Sequence, residues 1–314
     1  MDPLVYWIAL ALVKTLQGLP LRTVARIGRY GGALAYWLDA RHRNVALNNL
    51  TMCFEKEKSR AEIRAIAREN LRRIGENYCC AIKTAAMSFE ELKPHLEFVG
   101  ANRLYPEPHT KNPPRLVIAI GHFGNFELYP RVGDLFPGVQ VATTYRAVRP
   151  PRLNELLLEI RRRSGSLLFE RRTEADALKA AMSQPGILLG LFADQHGGQK
   201  GIWGPLFGKE CSTGPAPAVY ALRYRCNLFT GFCFRTGLAH WRLEVGEHIP
   251  THENGQPRPI AAITADINRS IEAAIRRDPA NWFWVHKRWK PDSSKVQSLT
   301  SKVEESTAQV VRGG

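Results

Sequence analysis

The sequence predicts an α/β fold: a mixed, largely parallel sheet flanked by helices, preceded by a helical N-terminal segment. Three observations predict it. Apolar runs such as LVIAI (116–120) and GILLGLFAD (186–194) are strand-length and bounded by turn residues. Stretches of helical periodicity separate them, the pattern left by crossover connections between parallel strands. At 314 residues, 44% hydrophobic and 23% charged, the chain has ordinary globular composition and enough length to bury a large core.

In chain order, MDPLVYWIALALVK opens with Asp2 as N-cap and Pro3 as first helical residue. The apolar run Leu4 to Val13 would span only ~15 Å as a helix, about half of a ~30 Å hydrocarbon core. It lacks a basic leader and a small-residue cleavage site, so no secretory signal is predicted. GGALAYWL (31–38) is also too short to cross a bilayer alone. Between them Arg22, Arg26 and Arg29 recur at helical spacing, and with Trp7, Tyr36 and Trp37 they read as a segment lying on an anionic leaflet. Each such arginine contributes ~1 kcal/mol of attraction. The alternative is a buried helix with a solvated basic face.

Residues 44–98 are helical in pattern, with capping boxes at Ser59/Glu62 and Ser88/Glu91 and an apolar face of Ile63, Ile66, Leu71, Ile74 and Tyr78. A proline-bearing loop (105–114) leads into strand 116–120. Then follow strand 139–145, helix 154–165 ended by Gly165, the short strand SLLFE, helix 174–186 and strand 186–194. Helix 215–226, strand 227–234, the half-exposed strand HWRLEVGEHI (240–249) and helix 263–279 complete the pattern. The expected organisation is a membrane-associated segment over 1–40, an α/β domain over 41–294 and a flexible tail over 295–314.

Lys and Arg outnumber Asp and Glu by 44 to 29, a net charge of +15 that calls for an anionic partner. Six cysteines show no C-x-x-C pair and no zinc-like spacing, so all are expected reduced. His240, His248 and His286 also lack ligand spacing; neither a metal nor another cofactor is expected. No zinc-finger or RNP-type motif supports nucleic-acid binding.

The chemistry gathers at strand ends, where ligands of open α/β sheets collect. LVIAI runs directly into GHFGNFE (121–127), where Gly121 and Gly124 tolerate a bent backbone. His122 and Glu127 would stand about 140° apart on a regular helix. A direct bond therefore needs His122 in the loop and Glu127 in the first turn beyond it. The carboxylate would then set the imidazole tautomer and leave the other nitrogen to deprotonate a hydroxyl. Arg146 ends the next strand as a potential oxyanion or phosphate holder, and Asp194 ends a third. No G-x-S-x-G elbow is present, which favours direct transfer over a covalent intermediate. The aromatic cluster Trp282, Phe283, Trp284 and Trp289 reads as core packing or membrane-edge anchoring.

GHFGNFE, YRAVRPPRLN, LLGLFADQHGG, the FG-x4-STGPAPAVYALR run and NWFWVHKRWK together resemble the lipid A late acyltransferases of the lysophospholipid acyltransferase superfamily, in order across residues 40–290. The resemblance implies transfer of a fatty acyl chain from a thioester of acyl carrier protein or CoA to a hydroxyl of a membrane glycolipid, at the cytoplasmic face of the inner membrane. His122 and Glu127 match the family's catalytic pair. Gly121, Asn125, Arg146, Asp194 and Gln195 match positions around the substrate, as does one of Arg161, Arg162 and Arg163, with Arg163 taken as that residue. Where the family pattern carries an acidic residue after the Asp-Gln step, this chain has His196. Acylation of another glycolipid, such as a phosphatidylinositol mannoside, and thioester hydrolysis by the same dyad remain as alternatives.

Overall fold

LVIAI becomes the central strand of a seven-stranded sheet in the computed structural model, which describes residues 3–105 and 113–291. The expected Asp2 cap, most of the 105–114 loop and the 295–314 tail lie outside the described residues. The chain begins with helices α1 (Pro3–Gly18), α2 (Leu21–Leu38), α3 (Ala40–Phe54), α4 (Arg60–Thr84) and α5 (Phe89–Leu92), then β1 (Leu96–Val99) and β2 (Leu116–Ile120). There follow β3 (Gln140–Tyr145), α6 (Pro151–Arg162), β4 (Leu167–Glu170), α7 (Ala175–Met182) and β5 (Ile187–Phe192). A hairpin of β6 (Ile202–Leu206) and β7 (Lys209–Thr213) precedes α8 (Ala216–Tyr224), β8 (Asn227–Gly237) and β9 (His240–Ile249). The minor hairpin β10 (His252–Glu253) with β11 (Gln256–Pro257) leads to α9 (Ile260–Arg277).

The main sheet runs β1-β9-β8-β2-β5-β3-β4, and every pairing is parallel except β8 with β9. All five residues of β2 are buried, as a strand covered on both faces requires. Alternation then sorts them. Val117 and Ala119 join Leu189 and Leu191 of β5 beneath α7, α8 and α9, while Ile118 and Ile120 face Val132, Val141 and Val245 on the other side.

Both predicted capping boxes form, at the starts of α4 and α5. All six cysteines are free. Two segments differ from the sequence reading. Residues 96–99 extend beside β9 instead of continuing a helix, and the glycine-rich stretch after Asp194 contains the β6–β7 hairpin.

Helix α2 lies on α4 at glycine distance. A Cβ on Gly75 would fall 2.1 Å from the Gly28 carbonyl oxygen, and one on Gly32 would fall 2.1 Å from that of Leu71. The crossing is locked by charge: Arg29 forks onto Glu69 and also reaches the fully buried Glu76, which accepts from Arg235 Nε (2.8 Å) and the Ala239 amide (3.1 Å). Arg29 is thus turned inward, and only Arg22 and Arg26 of the expected basic stripe stay exposed. Tyr36 is buried too, but Leu4, Trp7, Ile8 and Leu12 of α1 and Tyr30, Leu34, Trp37 and Leu38 of α2 present apolar surface to solvent. Among the described residues no helix is long and apolar enough to cross a membrane.

Candidate active site

Parallel register builds the site. Ile120 pairs with Phe192 at the ends of β2 and β5, and the Ala193 amide still donates to the Ile120 carbonyl. Two residues further along each strand stand His122 and Asp194. Asp194 Oδ2 accepts the His122 backbone N–H at 2.6 Å, and Oδ1 lies 2.9 Å from His122 Nδ1. A third donor, Trp282 Nε1, reaches Oδ2 at 2.8 Å. Asp194 is 1% exposed. Burial alone would push its carboxyl up, but His122 and Trp282 outweigh that and hold it below the ordinary carboxylate value. A buried carboxylate on Nδ1 keeps the ring proton there, so Nε2 presents its lone pair.

The backbone is bent to deliver this ring. The Phe123 amide donates to the Gly121 carbonyl across His122, a three-residue turn. Gly124 follows at φ +50, its amide donating to the Asn281 carbonyl; a Cβ there would fall 2.5 Å from the Cys233 carbonyl oxygen. The imidazole stacks on Phe192 at 4.1 Å between centroids and meets the edge of Phe126 at 4.9 Å. Gly121 itself holds Tyr129, whose hydroxyl donates to its carbonyl at 2.8 Å.

The carboxylate bonded to His122 is therefore that of Asp194, not of Glu127. Glu127 does fall in the first turn after the loop, within a 3-10 segment from Phe126 to Leu135. Its oxygens are taken by Arg161, with Nη2 at 2.6 Å and Nε at 3.1 Å. Arg161 is accordingly the arginine of its run that joins the site. Arg163, the C-cap of α6, pairs with Glu159 at the surface and does not line the cavity.

A cavity of about 1080 Å³ opens in front of His122. Glu127, Arg161, Asn125, Arg146, Gln195 and His196 line it with the apolar side chains of Ile118, Ile120, Val141, Leu188, Phe232 and Val245. Asn125 is 1% exposed, donates to Thr84 Oγ1, and has a carboxamide oxygen with no partner among the described residues. His196 donates its backbone N–H to His286 Nε2 at 3.1 Å, while its own buried Nδ1 has no partner among the described residues. Burial pushes His286 down to about 4, so it stays neutral and can accept that bond. Arg288, fully buried, fastens the turn by donating to the carbonyls of Gln195 and Ser212.

Sequence reasoning placed His122, Asn125, Arg146, Asp194 and Gln195 at one end of the sheet. It missed the His122–Asp194 bond and Trp282, whose indole was read as packing. The only signal was equal spacing: each residue stands two places beyond its strand. Among the described residues no group of acidic, histidine and cysteine side chains could hold a metal ion. The constellation suits proton abstraction from a hydroxyl beside a long apolar substrate.

The chain has relatives of known family. A family model for bacterial lipid A biosynthesis acyltransferases matches residues 2–291. The chain is 25% identical over 297 residues to a lipid A biosynthesis palmitoleoyltransferase of Escherichia coli, covering 90% of each chain. It is 26% identical over 309 residues to a lipid A biosynthesis acyltransferase of Haemophilus influenzae, covering 94% of this chain and 93% of the relative.

Proposed function

This chain belongs to the bacterial lipid A biosynthesis acyltransferases and is an O-acyltransferase; from that premise we propose that it moves a fatty acyl chain from the thioester of acyl carrier protein to a hydroxyl of a lipid A precursor, at the cytoplasmic face of the inner membrane. His122 Nε2 takes the proton as the hydroxyl oxygen attacks the thioester carbonyl. The tetrahedral intermediate collapses, the C–S bond breaks, and the imidazolium returns the proton to the departing sulfur. Asp194 holds the tautomer and stabilises the imidazolium, and proton transfer by a base so placed typically contributes ~10²–10⁴ in rate. Glu127 positions Arg161 beside the reacting groups, where a fixed guanidinium and the Gln195 carboxamide supply donors for the oxyanion.

The observation that carries this reading is the His122–Asp194 bond at the head of a large, mainly apolar cavity. The exposed apolar side chains of α1 and α2 support membrane attachment, and the net charge of +15 supports both an anionic bilayer and an acidic carrier. Helix α1 also touches the site's own scaffold: Arg152 of α6 stacks over Tyr6, so an attached bilayer would meet the protein close to the cavity wall. The test is purified protein with an acyl carrier thioester and lipid A precursor, scoring acylated lipid against free fatty acid. Wild type should yield acylated lipid and His122→Ala none. Free acid as the main product would make the protein a thioesterase, and full activity in His122→Ala would end the mechanism.

A further inference from the structure

At the cavity mouth β3 and β4 end in register, with Tyr145 opposite Glu170, and the Arg171 amide donates to the Tyr145 carbonyl at 3.1 Å. The next residue on each strand is an arginine. Arg146 and Arg171 therefore leave neighbouring strands side by side, roughly 5 Å apart at the backbone. Both line the cavity. Among the described residues neither guanidinium has an ion-pair or hydrogen-bond partner, whereas Arg161, Arg162 and Arg163 are occupied by Glu127, Glu155 and Glu159. Arg149 and Arg172 are exposed nearby but do not reach the cavity.

The two carboxylates at this rim are committed to backbone. Glu170 accepts from the amides of Arg172 (2.6 Å), Thr173 (2.9 Å) and Ala147 (3.5 Å) and from the Thr173 hydroxyl (3.2 Å). One buried side chain thus clamps the turns carrying both arginines. Glu174 takes the Glu170 amide. The turn after Arg146 is fixed further by Asn154, whose Oδ1 accepts the Val148 amide at 3.1 Å. Two unneutralised guanidiniums on pinned turns make a fork for a tetrahedral phosphate oxyanion. By sheet order, β3 and β4 stand two and three strands from β2, which puts the fork roughly 10–15 Å from His122 at ordinary strand spacing.

We propose that Arg146 and Arg171 together form a phosphate subsite at the cavity mouth, which engages a phosphate group of one of the two substrates while His122 acts on the thioester and hydroxyl. The inference rests on the acyl-transfer reading for the identity of the substrates, but not for the presence of the site. Two sources carry the chemistry: a phosphate on the acceptor's sugar, and the phosphodiester of a phosphopantetheine donor.

Two measurements on the full-length protein test it. Thermal unfolding is followed with inorganic phosphate against chloride at equal ionic strength. Phosphate should stabilise wild type beyond chloride, and the Arg146→Gln/Arg171→Gln double variant should lose that difference. An equal response to both salts in wild type overturns the subsite, whatever the reaction. Kinetics then name the source, using phosphorylated and phosphatase-treated acceptor, and acyl-phosphopantetheine and acyl-pantetheine donors. Arg171→Gln should raise KM about tenfold for the substrate whose phosphate is held, leave kcat within about twofold and leave KM unchanged for the stripped form; Arg171→Lys should recover part of the loss. A KM rise that ignores the phosphate on both substrates overturns the proposal. If wild type transfers no acyl group at all, the acyl-transfer reading fails while the unfolding measurement still decides the site.

Discussion

Replacing Gly75 with alanine puts a methyl group where α2 crosses α4. Its carbon would stand 2.1 Å from the Gly28 carbonyl oxygen and within 2.9 Å of the Gly32 backbone, against 3.4–4 Å for an ordinary contact. Backbone cannot rotate away, so α2 must retreat by more than an ångström and stretch the Arg29 contacts to Glu69 and Glu76. Overpacking of this kind costs about 1–3 kcal/mol. Alanine returns up to about 1 kcal/mol through helix propensity. With that gain counted in full, the net is a loss of about 0–2 kcal/mol, a fall in Tm of up to roughly 8 °C. Gly31 supplies the control, since it lies in the same α2 helix with nothing within 4 Å of a built Cβ. Gly31→Ala should hold or raise Tm by the propensity term alone. Thermal unfolding of the two variants decides the matter. If Gly75→Ala stabilises as Gly31→Ala does, the close crossing is not what fixes α2 on α4.

Other perturbations probe the site. Asp194→Asn removes the charge that holds His122 and lets the amide NH₂ reverse the tautomer, so kcat should fall by about 10²–10⁴ with little change in KM. Trp282→Phe removes one donor to the same carboxylate; kcat should fall about tenfold, because hydrogen bonds to charged groups contribute about 1.5–3 kcal/mol. His286, pushed by burial to about 4, is neutral in the fold but titrates near ~6.5 when unfolded. Its stabilising share is whole above pH ~6.5 and is lost as pH falls toward 4. Denaturation midpoints measured over that window should fall less steeply for His286→Gln than for wild type.

The strands that locate the site were legible because burial on both faces leaves unbroken apolar runs, as in LVIAI and ILLGLF. Capping boxes were legible because both partners are three residues apart. What stayed hidden depends on register. Asp194 meets His122 only because β2 and β5, 72 residues apart in the chain at the point of contact, pair so that Ile120 faces Phe192. No local spacing encodes that, while the local H-x4-E spacing drew attention to Glu127. The hairpin at 202–213 was hidden by its glycines, which read as loop although Gly197 and Gly201 pack against Thr213 and Ser212. Tyr36 and Arg29 shared the membrane-like pattern of α2, but their faces turn toward α4, and only the crossing at Gly28 and Gly32 reveals which side is buried.

The account stands on which carboxylate orients His122, and nitrogen NMR of protein labelled with ¹⁵N-histidine reads this directly. Neutral His122 should carry its proton on Nδ1 in wild type and in Glu127→Gln, and should move it to Nε2 in Asp194→Asn. A wild-type ring protonated on Nε2, or a tautomer that answers to Glu127 and ignores Asp194, would contradict it.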